Sequence, residues 1–546
     1  MSAASVILAH LFGLPPARST IGPPSEIDIV TAPGIALKTR IYRPAEPGRY
    51  PTLLMRVPYG FLGFAPVAEA YAEQGFNSVI QACRGTGGSP GEFDPLRHER
   101  DDGLAILDWL KAQSWFDGRL GLTGPSYLGY AQWAICDELP KTSAMAVQAS
   151  SADFEQIVFP GNSFSLQLWL SWLQIVEGLT DAPMSAGLQI MFGNVERQTF
   201  RAANNLPLID SDVEVVGHEV PFWRRWFREA IGNERFWAPL DQRPRMSETT
   251  PPNHLVSGWY DLMLEGLLSD YQRLVSLGHR PYLTVGNWHH ISPELQVESV
   301  RATIPWMRAH LEGDTSLLRQ NPVRIEITGG VGWREFNSFP PPGVSKAGLF
   351  LHEASRLDSA PPEDGQPLRF TYDPAKPTPS VGGAYFAFSG AGALDNRKLE
   401  ARNDVLVFTS GRLVEDVTVI GQPVLTLFAS SSATHTDFFA RICDVSPSGA
   451  STNIADAIMR IRPGDPVPDD DGVLQIEIAM HHCAHRFARG HMIRLQVSSG
   501  AHPRFARNLG TPDPIGTAMH MVKQNQTVYF DSARPSRLIL PVAAIS

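Results

Sequence analysis

The run Leu120-Gly121-Leu122-Thr123-Gly124-Pro125-Ser126-Tyr127-Leu128-Gly129 sets one serine where an apolar strand gives way to a helix beginning near Tyr127. A tight strand-to-helix turn needs small residues beside it and holds its hydroxyl out at the carboxyl edge of a sheet, the geometry of a nucleophile elbow. The usual form is G-x-S-x-G; here the second glycine comes one position late, with Leu128 in its slot. A serine hydroxyl is a weak nucleophile until an imidazole takes its proton, and the imidazole needs a carboxylate to fix its tautomer. Two later strand ends supply these groups in the order Ser, Asp, His. The apolar run 254–257 leads into Gly258-Trp259-Tyr260-Asp261, and the run 282–285 leads into Gly286-Asn287-Trp288-His289-His290. Alone, Asp261 could be a helix N-cap and the histidines a solvated loop. Together with Ser126 they describe acyl transfer through a covalent intermediate.

Two other clusters carry no chemistry on this reading. In the stretch Gly85-Thr86-Gly87-Gly88-Ser89-Pro90-Gly91 the third glycine of a G-x-G-x-x-G fingerprint would fall on Pro90, which has no N–H to offer a phosphate. It is a structural turn. The stretch His481-His482-Cys483-Ala484-His485 lies in or beside a strand, where neighbours face opposite ways, and it lacks a second pair at zinc spacing. No metal and no cofactor are expected.

The elements around these residues set the fold class. Residues 26–42 alternate about a turn at 32–34 and read as an opening hairpin. The short apolar runs 52–57, 78–82, 120–123 and 144–149, separated by helical stretches such as 100–113, suit a parallel sheet covered on both faces. After Ser150 the alternation stops, and residues to about 245 read as aromatic-rich amphipathic helices. Beyond Pro340-Pro341-Pro342 the runs 349–351, 405–409, 424–429, 438–445, 474–480, 492–498 and 527–530, joined by Gly, Pro and Asp turns, read as an all-β sandwich. The expected division is an α/β core in two parts, 1–149 and 246–342, a helical cap inserted at 150–245, and a β domain at 343–546.

With 546 residues, 43% hydrophobic and 19% charged, the chain has apolar surface for several cores. A net charge of −10 leaves no basic surface for a phosphate backbone, so nucleic acid is not expected as a partner. The four cysteines stand far apart and form no CxxC pair, which fits structural thiols in a reducing compartment. The apolar stretch at 6–14 has no preceding Lys or Arg and reads as a packing helix, and no apolar run approaches the ~20 residues of a membrane span. A cytoplasmic protein acting on a small molecule is the expectation, with a homodimer left open.

These motifs together resemble the family of cocaine esterase and X-Pro dipeptidyl-peptidase-like hydrolases, which includes α-amino-acid ester hydrolases and glutaryl cephalosporin acylases. The resemblance runs through residues 84–93, Trp115-Phe116-Asp117-Gly118-Arg119, the G-x-S-Y-x-G form at 124–129, Gly258 to Asp261, Asp437-Phe438, and residues 497–499 and 503–508. It implies an α/β-hydrolase core, an inserted helical cap and a C-terminal jelly-roll β-sandwich. Carried over by motif, the nucleophile falls on Ser126, the acid on Asp261, and the base of the family's G-P-W-x-H pattern on His290. Asn287 replaces the proline and His289 fills the variable place, so His290 is the favoured base with His289 as its alternative. The oxyanion hole implied is the Tyr59 hydroxyl with the N–H of Tyr127, and the acyl-pocket aromatics are Phe159 and Trp172. Leu262, Met263 and Leu264 stand where amino-ester hydrolases of this family carry carboxylates, which favours a neutral ester or amide over an amine-bearing substrate. A dipeptidyl-peptidase or amino-ester acylase, an acyltransferase, and a catalytically silent binding protein remain the alternatives.

Overall fold

The computed structural model describes residues 9–181, 193–387 and 389–544. The opening hairpin forms as β1 (Ser25–Ala32) and β2 (Ile35–Tyr42), paired antiparallel. Six strands then run parallel: β3 (Tyr50–Val57), β4 (Asn77–Ala82), β5 (Phe116–Pro125), β6 (Ser143–Gln148), β7 (Asn253–Tyr260) and β8 (Tyr282–His289). Every residue of β6 and β7 is buried, so neither shows an in-and-out alternation. Two strands beyond the expected set, β9 (Val323–Ile327), parallel to β8, and β10 (Gly332–Phe336), antiparallel to β9, complete a ten-stranded sheet in the order β1-β2-β4-β3-β5-β6-β7-β8-β9-β10. Each is only five residues long, and β10 is largely solvent-facing.

Helices cover both faces of this sheet. Glu99–Lys111 and Leu264–Ser276 seat Leu107, Leu110, Leu267 and Tyr271 on one side. Ala65–Glu73 and Pro293–Met307 seat Tyr71, Ile304 and Met307 on the other. Each such leucine, buried in full, contributes about 1.5–3 kcal/mol. The expected N-terminal helix lies partly outside the described residues; of the described part, Phe12 and Leu14 pack on the second face.

Between β6 and β7 the chain leaves the sheet and folds into short helices held by an aromatic cluster, with the Trp169 and Trp226 rings 4.7 Å apart and nearly perpendicular. Residues 182–192 of this stretch lie outside the described residues. The C-terminal part is a β-sandwich of thirteen strands around Leu351, Phe408, Leu427, Phe438, Leu495 and Leu540. Its longest strand, Ser451–Ile461, hides from hydropathy reading because buried Asn453 and Asp456 break the apolar alternation. Among the described residues no helix is long and apolar enough to cross a membrane.

Candidate active site

Ser126 is the joint between β5 and the helix Tyr127–Trp133, at φ 59° and ψ −126°. This region is sparsely open to a residue with a Cβ and costs on the order of 1–3 kcal/mol. The neighbouring strand holds it: the Ser126 N–H donates to the Gln148 carbonyl (2.9 Å), and the Gly124 N–H to Gln148 Oε1 (3.0 Å). Gly124 has φ +136°, and a Cβ there would lie 2.4 Å from Leu128 Cδ2. At Gly129 a Cβ would lie 2.4 Å from Ser150 Cβ, so the late second glycine is what lets the helix pass over Ser150.

His290 follows β8 and puts Nε2 3.1 Å from Ser126 Oγ, while its Nδ1 lies 2.7 Å from Asp261 Oδ1. Asp261 follows β7 and is fully buried. It accepts from the Ser257 hydroxyl (2.7 Å) and the Met263 N–H (3.0 Å). Burial by itself would raise this carboxyl. The charge and hydrogen bond of His290, with the bonds from Met263 and Ser257, outweigh burial and hold it below the ordinary value. His289 is the last residue of β8, half-buried, and its Nδ1 has no hydrogen-bond partner. The structure brings His290, not His289, to Ser126.

Tyr59 lies just beyond the end of β3, with its hydroxyl on the Ser126 side, where it accepts from the Trp172 indole N–H at 3.0 Å. An indole N–H can only donate and a carboxylate can only accept. Trp172 therefore donates to Tyr59 and His290 Nδ1–H to Asp261, and when His290 Nε2 carries no proton it accepts from the Ser126 hydroxyl. Burial pushes the Tyr59 phenol up to about 12, so it stays protonated and able to donate through the neutral range. The Tyr127 N–H, at the first position of a helix, has no intrahelical acceptor. The Tyr127 phenol points the other way, donating to Glu99 Oε1 (2.8 Å) and accepting from the Leu96 N–H (2.8 Å), with Glu99 paired to Arg56 at 3.0 Å.

The pocket over Ser126 is narrow and apolar, and Trp172 lines it with Leu96, Phe154, Leu168, Met263 and Phe386. Phe159 does not reach it. That ring packs on Phe164 and Trp237 and faces a wider cavity of about 480 Å³, which shares Leu168 and Phe386 with the Ser126 pocket. The three residues after Asp261 divide: Met263 lines the Ser126 pocket and Leu262 the wider cavity, while Leu264 points into the sheet core and is no part of either. Glu265 also faces the wider cavity, but His482 occupies its carboxylate through Nδ1 (2.8 Å) and the backbone N–H (2.6 Å). Phe386, from the β-sandwich part of the chain, has its ring centroid 5.6 Å from that of His290. It sits in a loop with no periodicity, so nothing in the sequence could have singled it out. Met263 had a signal, its place two residues after the acid.

Known proteins share this architecture. Residues 33–292 match the X-Pro dipeptidyl-peptidase (S15 family) model, and residues 318–539 match the X-Pro dipeptidyl-peptidase C-terminal non-catalytic domain. Cocaine esterase of Rhodococcus sp. (strain MB1 Bresler) is 28% identical over 567 residues, covering 95% of this chain and 98% of that protein. An aminopeptidase from the marine sediment archaeon Thaumarchaeota archaeon superposes with a TM-score of 0.80 at 23% identity over 96% of each chain. An α-amino acid ester hydrolase does so with a TM-score of 0.78 at 21% identity over 97% of each. At those identities the two structures speak for the fold, an α/β-hydrolase part followed by a β-sandwich. The two domain models occur in sequence order and together span most of the molecule, and a relative carrying esterase chemistry matches it almost end to end. The chain belongs to the cocaine esterase and X-Pro dipeptidyl-peptidase-like family of α/β-hydrolase serine hydrolases.

Proposed function

We propose that the chain is a serine esterase for small neutral esters with an apolar acyl group, working through an acyl-enzyme on Ser126. The observation that carries this is the pair of contacts by which His290 meets Ser126 Oγ at 3.1 Å and Asp261 at 2.7 Å. As Ser126 Oγ attacks the carbonyl carbon, its proton passes to His290 Nε2, and Asp261 stabilises the resulting imidazolium. The carbonyl oxygen gains the electron pair, and the Tyr59 O–H donates to it beside the Tyr127 N–H; losing one such donor costs ~10²–10³ in rate. His290 then protonates the departing alcohol, and a water attacking the acyl-enzyme by the same route restores Ser126. Trp172 acts through Tyr59: by occupying the phenol's acceptor side it leaves the O–H aimed at the reacting centre.

Substrate polarity follows from the pocket wall. Among the described residues lining the Ser126 pocket there is no carboxylate. An ammonium there would lose hydration without gaining a counter-ion, at a cost of several kcal/mol. Kinetics on a phenylglycine ester and its des-amino phenylacetate analogue, with the same leaving group, test this. The phenylacetate ester is expected to have the higher kcat/KM. A preference of more than ~10-fold for the amine, about 1.4 kcal/mol of transition-state binding, would mean that Glu265 or Asp456 in the wider cavity reaches the substrate, and the amino-ester or peptidase reading would replace this one.

A further inference from the structure

We propose a second binding site, for a small organic carboxylate with a compact apolar body, at the seam between the helical insertion and the β-sandwich. A cavity of about 230 Å³ opens there, walled by Leu206, Ile231 and Ile515 and by three arginines, Arg460, Arg462 and Arg507. It shares no lining residue with the Ser126 pocket.

The three guanidiniums are not equally neutralised. Arg460 gives two bonds to Asp437, at 2.9 and 2.8 Å, and is satisfied. Arg507 is 8% exposed, yet among the described residues its acceptors are carbonyls only, those of Pro374 (3.2 Å) and Asn204 (2.9 Å). Among the described residues, neither Arg507 nor Arg462 has a carboxylate within ion-pairing distance. A buried cation without a counter-charge is costly, and carbonyl dipoles meet only part of that cost. His435 on the same wall adds to the picture: burial first, then the positive charges of Arg462 and Arg460, hold its imidazole below the usual value, as expected where positive potential is left over. The one carboxylate lining the cavity, among the described residues, is exposed Asp513 at the rim, which accepts the Thr511 hydroxyl at 3.1 Å.

A ligand that completes this wall brings a planar anion and an apolar remainder. A carboxylate matches the guanidinium fork, and Leu206, Ile231 and Ile515 match a short hydrocarbon or aryl body. Arg462 is placed to bridge the seam, since a Cβ on Gly232 of the helical insertion would lie 3.1 Å from its Nη1.

Calorimetric titration with benzoate and with benzamide, its neutral counterpart, tests the site in the full chain. Wild type should bind benzoate at least ~10-fold more tightly than benzamide. Arg462→Glu, at a partly exposed position, should bind benzoate at least ~10-fold more weakly, with Tm and p-nitrophenyl acetate hydrolysis unchanged. Arg507 is left intact because it is buried and its replacement could unfold the seam. Absence of benzoate binding to wild type, equal binding by Arg462→Glu, or equal binding of benzamide would overturn the proposal. Hydrolysis falling in step with benzoate affinity would also overturn it, because the ligand would then sit over Ser126.

Discussion

Replacing Ser126 with alanine should lower kcat/KM for a p-nitrophenyl ester by at least about 10³-fold while the protein stays folded. The proposed mechanism gives Ser126 Oγ the only bond-forming role, and removing a member of such a triad leaves little beyond substrate binding and the oxyanion donors. Stability should change little. Alanine keeps the Cβ, so the positive φ is no more strained than before, and the lost hydroxyl bonds are worth about 1 kcal/mol each. The elbow is held to Gln148 by the backbone N–H groups of Ser126 and Gly124, and both bonds remain. The variant is to be measured for kcat/KM and Tm side by side; residual activity above about a tenth of wild type in a folded variant would remove Ser126 from its role.

His290→Ala should be as damaging as Ser126→Ala, and His289→Ala should cost less than about 10-fold. Only His290 touches both Ser126 and Asp261, at 3.1 and 2.7 Å. Its loss has a second effect. The Asp261 carboxyl is kept ionised in a fully buried place chiefly by the His290 charge and hydrogen bond, against burial. Because the folded-state pKa of Asp261 is depressed, the stability linked to it is present above the unfolded value and lost as pH falls through the folded one. Without His290 that depression shrinks, so His290→Ala should also lower Tm at pH 7, which Ser126→Ala should not. At His289, burial first and then neighbouring His290 push the imidazole below its ordinary value, and Nδ1 meets no partner. Nothing in the reaction passes through it. Kinetics and Tm of both variants decide the point, and a larger activity loss in His289→Ala would shift the base by one residue.

The parts of this molecule that were legible in the sequence are those where one local rule governs. Ser126, Asp261 and His290 each stand just after a parallel strand, where apolar runs mark the strand and the chain must then turn. The hairpin of β1 and β2 and the central strands read for the same reason. The late second glycine looked like a departure from the elbow pattern, and the contact of Gly129 with Ser150 shows the packing that requires it.

What the sequence hid depends on distant parts of the chain meeting. Phe386 closes the Ser126 pocket from the β-sandwich part of the chain, 96 residues beyond His290 and without any periodic pattern around it. Phe159 and Trp172 looked equivalent as aromatics after Ser150, but one faces the wider cavity and the other bonds Tyr59. Leu264 reads as an apolar neighbour of the acid; helical geometry turns it into the core instead. The strand Ser451–Ile461 is masked by Asp456, whose burial makes sense only once Arg441 (2.8 Å) and Arg504 (2.7 Å) are seen beside it. Pairings of this kind are set by tertiary structure, and no local periodicity announces them.

If Ser126 is the activated nucleophile of this chain, covalent labelling will find it. The folded protein would be treated with a fluorophosphonate and the adduct located by peptide mass spectrometry, with Ser126→Ala as the control. One phosphonyl group per chain is expected, on Ser126, with activity lost in proportion to labelling and no adduct on the Ser126→Ala protein. A folded wild-type protein that hydrolyses esters but stays unlabelled at Ser126, or that carries the label on another serine, would contradict that role for Ser126.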